Sequence, residues 1–299
     1  MNKKTKQILI YILLFITFIC IAYVLFKNYK YNYVKICWLY WDTEKMPSII
    51  EGIKKYNMNK FPGWKPVYLN DKNLDDYIPK WAFPENYSNL IQAHKADWIR
   101  LYLLYRYGGC WLDCSIIINK SEALDDIYNK SQNVKADLTV FQSDLKNRTF
   151  THISGRSVPL VIDNWLIFAP KNSIIIKLWL DEYTKAINMG FLEYKKNVVI
   201  KSGTDISKIY TTGDNDVYLT QHMCIEYILQ KKIKNLPNII FLNSFDSMFK
   251  LSILCDGKPS SCLEDKFNND NATVKEIPYI KLTRHDRNID ITKFLNTGQ

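Results

Sequence analysis

Four widespread catalytic signatures are missing from this sequence. It contains no G-x-G-x-x-G after the first predicted strand, no Walker A loop, no G-x-S-x-G turn and no H-E-x-x-H helix. These absences argue against a dinucleotide-dependent dehydrogenase, a P-loop enzyme, a serine hydrolase and a zinc protease. The cysteines have no companion cysteines or histidines at zinc-ligand spacing, so a structural zinc site is not expected.

The sequence also lacks internal repeats, low-complexity blocks and any basic segment interleaved with aromatic residues. Its net charge of +10 arises from scattered lysines and arginines, which usually form a solvated surface. A membrane surface or an anionic nucleotide diphosphate would explain the excess equally well, and we predict no nucleic-acid partner. The 299 residues are 47% hydrophobic, which is enough to build a large folded core.

One long stretch carries no charge. Residues 8–26 form a run of 19 uncharged, mostly apolar residues, and as a helix they would span about 28 Å, the thickness of the hydrocarbon layer. The run is too long for a signal peptide, and no small-x-small cleavage site follows it. We predict a tail at residues 1–7, a transmembrane anchor at 8–26, a stem at 27–33 and a folded domain at 34–299. The flanking lysines favour a cytoplasmic N-terminus only slightly.

Two further features bear on the compartment. Cys255 and Cys262 lie in a turn-rich segment where a disulfide is expected in a lumen but not in a cytosol. We expect a single-pass type II protein with a luminal domain, and the alternative is the cytoplasmic face of a membrane. Sequons for N-glycosylation, which agree with a lumen, begin at Asn86, Asn119, Asn129, Asn147 and Asn271.

Strand and helix patterns alternate along the predicted domain. Short aromatic and β-branched runs predict strands, and apolar residues at i, i+3 and i+4 predict helices. The pattern predicts an α/β domain with a mostly parallel sheet, of the kind that binds nucleotides. The predicted strands are 34–41, 64–69, 110–118, 138–142, 160–169 and 277–283, and the predicted helices are 48–57, 71–77, 90–107, 174–187 and 217–230.

Residues 90–118 form the centre of this pattern. A helix ends there at a glycine pair, and the strand that follows carries Asp113 among apolar neighbours. A period of two puts Trp111, Asp113 and Ser115 on one side of that strand. A buried carboxylate needs a partner. The local pattern leaves open whether the partner is a nearby arginine or a ligand at the carboxyl end of the strand.

Polar residues recur at three other places. Asp163 and Asn164 interrupt the apolar strand predicted at 160–169, where such residues are paired or functional. Asp214 and Asp216 precede the helix predicted at 217–230 and would cap it or contact a ligand. A basic cluster near the C-terminus contains Lys281, Arg284, His285 and Arg287.

The central block resembles a known family. KADWIRLYLLYRYGGCWLDCSI resembles the SDLLR, LLYKYGG and W-[IL]-D-x-[TD] signature of the capsular polysaccharide synthesis proteins and the wider group of DXD-type sugar transferases. That group includes yeast Golgi mannosyltransferases and the large glucosylating toxins. The resemblance covers about residues 35–286, because weaker matches keep chain order at ICWLYWDTEKMPSIIEGIKKY, VYLNDKNLDDYI, IDNWLIFAP and IKLTRHD.

The resemblance implies a GT-A type fold, which is a Rossmann-like mixed sheet flanked by helices. It also implies transfer of a hexose from a nucleotide-diphosphate sugar to a glycan or polysaccharide hydroxyl, usually with retention of the anomeric configuration. By position, Asp97 and Arg100 would hold the donor sugar, and Asp113 would be the first acid of the DXD motif, on the ribose and the metal side of the diphosphate. Asn164 and Trp165 would lie near the transfer site.

The resemblance further implies that Lys281 and His285 neutralise the leaving diphosphate, while Gly109 belongs to the glycine pair of the signature. We therefore predict as catalytic residues Asp113, Asn164 and Asp216, and as substrate-binding residues Asp97, Arg100, Gly109, Trp165, Asp214, Lys281 and His285.

One departure from the family pattern concerns the metal. The second acid of the DXD motif is Ser115 here, and a hydroxyl binds Mn²⁺ or Mg²⁺ less well than a carboxylate does. The prediction is a divalent cation held by Asp113 and Ser115 with a later acid, Asp214 or Asp216. For the whole protein, a catalytically inactive, membrane-tethered glycan- or nucleotide-sugar-binding relative is the alternative hypothesis. For the metal, the alternative is replacement by Lys281, Arg284 and Arg287.

Overall fold

A computed structural model describes residues 7, 11–12, 14–18, 31–144, 146–209, 213, 216–256 and 260–298. The chain divides into two units, Met1–Asn32 and Tyr33–Gln299. In the first unit, residues 7, 11–12 and 14–18 are helical. The rest of the predicted anchor, and residues 27–30 of the stem, lie outside the described residues. Within the described ranges, none of the helices is both long and apolar enough to cross a membrane.

The second unit is an α/β domain. Its strands are β1 Ile36–Tyr40, β2 Lys65–Leu69, β3 Gly109–Leu112, β4 Ile116–Ile118, β5 Leu138–Gln142, β6 Thr149–Thr151, β7 Ser157–Pro159, β8 Ile162–Ala169, β9 Ile239–Asn243 and β10 Tyr279–Lys281. Its α-helices are α1 Ser48–Asn57, α2 Gln92–Tyr107, α3 Ala123–Asn133, α4 Ile174–Met189, α5 Phe191–Tyr194, α6 Thr220–Tyr227, α7 Lys250–Leu254, α8 Ser260–Asn269, α9 Asn271–Glu276 and α10 Thr292–Leu295. The segment predicted as a helix at 71–77 contains only a 3₁₀ turn, Leu74–Asp76.

In the described part of the chain, six strands form the main sheet in the order β2-β1-β3-β8-β5-β9. Of these six strands, five run in the same direction, so the sheet is mostly parallel as predicted. It is also mixed, because β8 runs antiparallel to both of its neighbours, β3 and β5. Strand β8 begins at the same end of the sheet at which β5 stops, and the β6-β7 hairpin lies between them in the sequence. A strand that begins where its neighbour stops runs antiparallel to it. The α/β class and the mixed sheet agree with the fold that the resemblance implies.

The central strands are buried on both faces, as their nearly continuous apolar sequences require. Along β1, Cys37 and Leu39 belong to one core, whereas Trp38 and Tyr40 belong to the other, as the period of two demands. Helices α1, α3, α7, α8 and α10 contribute to the first core, and helices α2, α4 and α6 contribute to the second.

The single strand predicted at 110–118 is wrong, because the structure divides it. Strand β3 ends at Leu112, and β4 begins at Ile116 in a separate two-stranded sheet with β10. Between them the Ile116 N–H donates to the Asp113 carbonyl at 3.0 Å, which closes a turn. Asp113 and Ser115 therefore come together through this turn and not through alternation along a strand.

Gly109 has a packing role at the start of β3. Its φ is +100°, and a Cβ atom there would lie 2.4 Å from the Ile36 carbonyl oxygen. Only glycine allows this close approach of β3 to β1 without strain. Gly109 lies at the opposite end of β3 from Asp113, about 13 Å away along the strand. The structure therefore does not bring Gly109 to the carboxylates, and its role as a substrate contact stays a prediction.

Two compartment-related features are visible in the fold. Cys255 and Cys262 are joined by a disulfide, with their Cα atoms 5.8 Å apart. Of the predicted sequons, Asn119 is buried, and its side-chain amide donates to the carbonyls of Val274 and Ile277, both at 2.7 Å. That asparagine is inaccessible to a glycosylating enzyme in the folded domain.

Glu226 provides a test of the core beneath α6. Its side chain is fully buried, Oε2 accepts a hydrogen bond from Gln230, and Oε1 has no partner among the described residues. Burial raises the pKa of Glu226 to about 8 from an ordinary value of 4.5. The folded state thus keeps a proton that the unfolded chain releases above pH 4.5, so stability is lost as the pH rises from 4.5 through 8.

We expect Glu226→Gln to remove this cost, because the amide keeps the hydrogen bond and cannot ionise. The gain in the free energy of unfolding should be on the order of 3 kcal/mol at pH 7 and close to zero at pH 4.5. Urea denaturation of both proteins across this pH range measures it. A pH-independent difference would show that Glu226 is not buried as a neutral acid.

Candidate functional site

The candidate site lies at one end of the strands of the main sheet. Strands β1, β3 and β5 have their carboxyl ends there, and β8, which runs the other way, begins there. Ligands of open α/β sheets bind outside the carboxyl ends of the strands. The polar residues that follow β3 and begin β8, Asp113, Asp163 and Asn164, are therefore neighbours in space although they are far apart in the sequence.

The Asp113 carboxylate contacts both Lys281 and Arg100. Its Oδ2 atom lies 2.6 Å from the Lys281 ammonium, and its Oδ1 atom accepts hydrogen bonds from the Trp111 indole at 2.9 Å and from Arg100 at 3.3 Å. Its backbone N–H donates to the Trp165 carbonyl at 2.9 Å. The side chain keeps 25% of its surface exposed, so the carboxylate is held on one side and open on the other.

Lys281 reaches this point from β10. Its side chain is only 9% exposed, and its ammonium donates to both Asp113 and the buried Ser115 hydroxyl, the latter at 2.9 Å. The pairing of β10 with β4 places Lys281 opposite Ile116, directly after the turn. The basic residue predicted near the C-terminus thus lies between the two positions that define the DXD-like motif.

A second polar cluster lies beside Asp113. Arg100 bonds Asp97 and donates to the Gln221 side-chain oxygen at 2.8 Å. Asn164 donates to Asp97 at 3.1 Å and also to Gln221, whose own amide donates to the Asp97 carbonyl at 2.6 Å. The structure therefore joins Asp97, Arg100 and Asn164 into one buried network that extends to Asp113 through the Arg100 guanidinium.

The pKa values of Asp97 and Asp113 are shifted in opposite directions. Burial raises the pKa of Asp97, despite the opposing charges of Arg100 and His94. Burial acts on Asp113 too, but the charges of Lys281 and Arg100 outweigh it and hold the pKa of Asp113 below its ordinary value. Burial also lowers the pKa of Lys281, against the attraction of Asp113. Such divergent pKa values are typical of functional sites.

A cavity of about 490 Å³ flanks this network on the β5 side. Asp163 lines it and accepts hydrogen bonds from Ser143 at 2.8 Å and Ser244 at 2.7 Å, while burial raises its pKa to about 6. His222 also lines it, with a pKa lowered by burial to about 4 and an Nδ1 atom that has no partner among the described residues. Basic side chains at the cavity wall are Lys146, Arg148 and Lys208.

Other predicted residues lie less centrally. Trp165 contributes its carbonyl to Asp113, while its ring packs against Phe141 and Phe249. His285 is exposed. Asp216 accepts a hydrogen bond from the Tyr218 N–H at 2.9 Å within the turn before α6, and it does not cap the helix. Asp214 lies outside the described residues.

Two further residues belong to the site, and of these only Arg287 had a signal in the sequence. Gln221 is fully buried and contacts Asp97, Arg100 and Asn164, but a glutamine inside a helix carries no local signal. Arg287 lies over the Trp41 ring at 5.7 Å and acts electrostatically on Lys281. Its membership of the basic C-terminal cluster was the available signal.

The geometry defines a mixed α/β protein with a carboxylate and two buried cations at the carboxyl edge of its sheet. The chain belongs to the capsular polysaccharide synthesis protein family, whose model matches residues 2–275. The family resemblance noted in the central block is therefore confirmed.

Curated relatives match parts of the chain. The O-glycosyltransferase PaGT of Phomopsis amygdali is 28% identical over 93 residues, 31% of this chain and 20% of that protein. The O-glycosyltransferase braB of Annulohypoxylon truncatum is 26% identical over 167 residues, 50% of this chain and 37% of that protein. Inositol phosphoceramide mannosyltransferase 3 of Schizosaccharomyces pombe is 26% identical over 100 residues, 32% of this chain and 28% of that protein. The matches therefore span well under half of each relative.

Two solved structures are also similar. One is a glycosyltransferase involved in the glycosylation of the major capsid of PBCV-1, with a TM-score of 0.41, 11% identity, and coverage of 87% of this chain and 98% of that chain. The other is the PaToxG glycosyltransferase, with a TM-score of 0.33, 14% identity, and coverage of 89% and 86%.

Gln221 allows a test of the buried network. We expect Gln221→Leu to lower the free energy of unfolding by about 2–4 kcal/mol, because Arg100 and Asn164 would keep buried donors without an acceptor. Gln132→Leu, which changes an exposed glutamine, should alter it by less than about 0.5 kcal/mol. Chemical denaturation measures both, and equal losses in the two variants would contradict the network.

Proposed function

We propose that this protein is a glycosyltransferase that moves a hexose from a nucleotide-diphosphate sugar to a hydroxyl of a glycan or polysaccharide, with retention of configuration. The observation that carries the proposal is the cluster of Asp97, Arg100, Asp113, Asn164 and Lys281 at one edge of the sheet. The family membership and the names of the relatives support the same class of activity.

The contacts suggest a role for each group. Lys281, with Arg287 behind it, supplies positive charge for the donor diphosphate, and Asp113 fixes the position of that ammonium. Asp97 and Asn164 offer a carboxylate and an amide to the sugar hydroxyls, and Arg100 orients both aspartates. The catalytic role of Asp216 and the substrate-binding role of Asp214 stay predictions from the sequence.

In the proposed reaction, the bond between the anomeric carbon and the diphosphate oxygen breaks, and its electron pair leaves with the nucleotide diphosphate. The acceptor oxygen forms the new bond to the anomeric carbon, and its proton passes to the departing phosphate oxygen. Negative charge therefore grows on the diphosphate. Fixed cations at that position are a large source of rate enhancement.

The cavity beside the network is our candidate for the acceptor. Its lining residues Asp163 and His222 are next in the sequence to Asn164 and Gln221, which bond each other in the network. The volume of about 490 Å³ suits one or two sugar rings.

Anchoring and location belong to the same proposal. The uncharged run at residues 8–26 supports a single-pass membrane anchor, and the disulfide Cys255–Cys262 supports an oxidising, luminal compartment for the domain. Protease treatment of sealed vesicles tests this orientation, because a domain on the cytoplasmic face would be digested without detergent.

Asp113→Asn tests the activity. We expect nucleotide release from the preferred nucleotide sugar to fall by about 100-fold or more, because the amide cannot hold the Lys281 ammonium in place. The measurement is release of free nucleotide from a panel of nucleotide sugars by the purified full chain, with and without glycan acceptors.

Asp76→Asn is the matched control, since Asp76 is exposed in the Leu74–Asp76 turn away from the cluster, and it should retain full activity. Circular dichroism must show that both variants fold. A folded wild type that binds nucleotide sugars but releases no nucleotide from any of them would favour the alternative, an inactive membrane-tethered binding protein.

A further inference from the structure

The donor set around Asp113 does not fit a divalent cation. Mn²⁺ and Mg²⁺ need several oxygen ligands, mainly carboxylates. Both Asp113 oxygens already contact cationic or N–H donors, and the second motif residue, Ser115, offers a neutral hydroxyl. In the described ranges, no three His, Cys, Asp or Glu side chains group together in a way that could hold a metal.

A lysine ammonium lies between the two motif residues that would share such a cation, Asp113 and Ser115. The Lys281 Nζ atom is 2.6 Å from Asp113 Oδ2 and 2.9 Å from Ser115 Oγ, so it bridges the two outer positions of the motif. A divalent cation at the same place would be repelled by Lys281 and Arg100 together. We propose that Lys281 replaces the divalent cation, and that its ammonium binds the donor diphosphate and stabilises its departure without metal.

The backbone makes this ammonium a fixed feature of the fold. The Lys281 N–H donates to the Met248 carbonyl at 3.1 Å, and the Leu282 N–H donates to the Ser115 carbonyl at 3.1 Å. These bonds hold the β10 backbone against the motif, and the Lys281 side chain is 9% exposed. A cation that is positioned before the substrate arrives does not have to reorganise during the reaction.

This inference rests on the proposed function, so its first test does not depend on activity. Titration of the purified full chain with Mn²⁺ alone, followed by the electron paramagnetic resonance signal of free Mn²⁺, should reveal no site with a dissociation constant below about 1 mM. Nucleotide release from the preferred donor should change by less than about twofold when EDTA is added.

Two variants test the position of the ammonium. Lys281→Met should lower nucleotide release by about 100-fold. The double variant Ser115→Asp with Lys281→Met restores a second acid and removes the lysine. It should bind one Mn²⁺ and show release that Mn²⁺ increases by about tenfold over the single variant. Lys275→Met, which changes an exposed lysine on α9, is the control and should behave as the wild type.

The outcomes separate the two proposals. If no donor is turned over, the proposed function fails, while the Mn²⁺ titration still decides whether the site takes a metal. A wild type that binds one Mn²⁺ tightly, or that EDTA inactivates, overturns the replacement by Lys281. A folded double variant that acquires no Mn²⁺ site overturns it as well, because Lys281 would then not stand at the cation position.

Discussion

The ion pair between Lys281 and Asp113 joins residues 168 positions apart, and the rest of the site depends on it. Asp113 directly follows β3, a central strand of the main sheet, whereas Lys281 ends a strand of the small second sheet. Because both side chains are largely buried, removing either charge would leave the other uncompensated in a low-dielectric environment. The segment from β9 to β10 is therefore needed for the site, because it places the Lys281 ammonium beside Asp113.

Arg100 extends the same constraint to the other side of Asp113. Its guanidinium contacts Asp97, Asp113 and Gln221, and stacks over the Trp111 ring at 5.0 Å. Two carboxylates and two buried cations then balance each other before any ligand binds. The opposite pKa shifts of Asp97 and Asp113 follow from this arrangement, because Asp113 alone faces both cations.

Elements with complete local patterns could be predicted from the sequence. Helix α1 and strand β5 have the bounds that were predicted, since α1 is amphipathic and β5 is buried throughout. Strand β9 was missed. It is only half-buried along its length, and its short apolar run lacks the alternation of apolar and polar residues that marks a strand. The break after Leu112 was missed because apolar residues resume at Ile116, directly after the short turn. Gln221 was missed because only tertiary contacts distinguish a buried glutamine from a solvated one.

The identities of residues 115 and 281 are physically coupled. Ser115 is 1% exposed, so a carboxylate in its place would add a second buried negative charge beside Asp113. One lysine could not neutralise both acids, and a divalent cation would be the natural complement. With serine at that position, a single ammonium balances Asp113 and bonds the hydroxyl as well. In the proposal that Lys281 replaces a metal, serine at position 115 leaves one acid, Asp113, for the ammonium to neutralise.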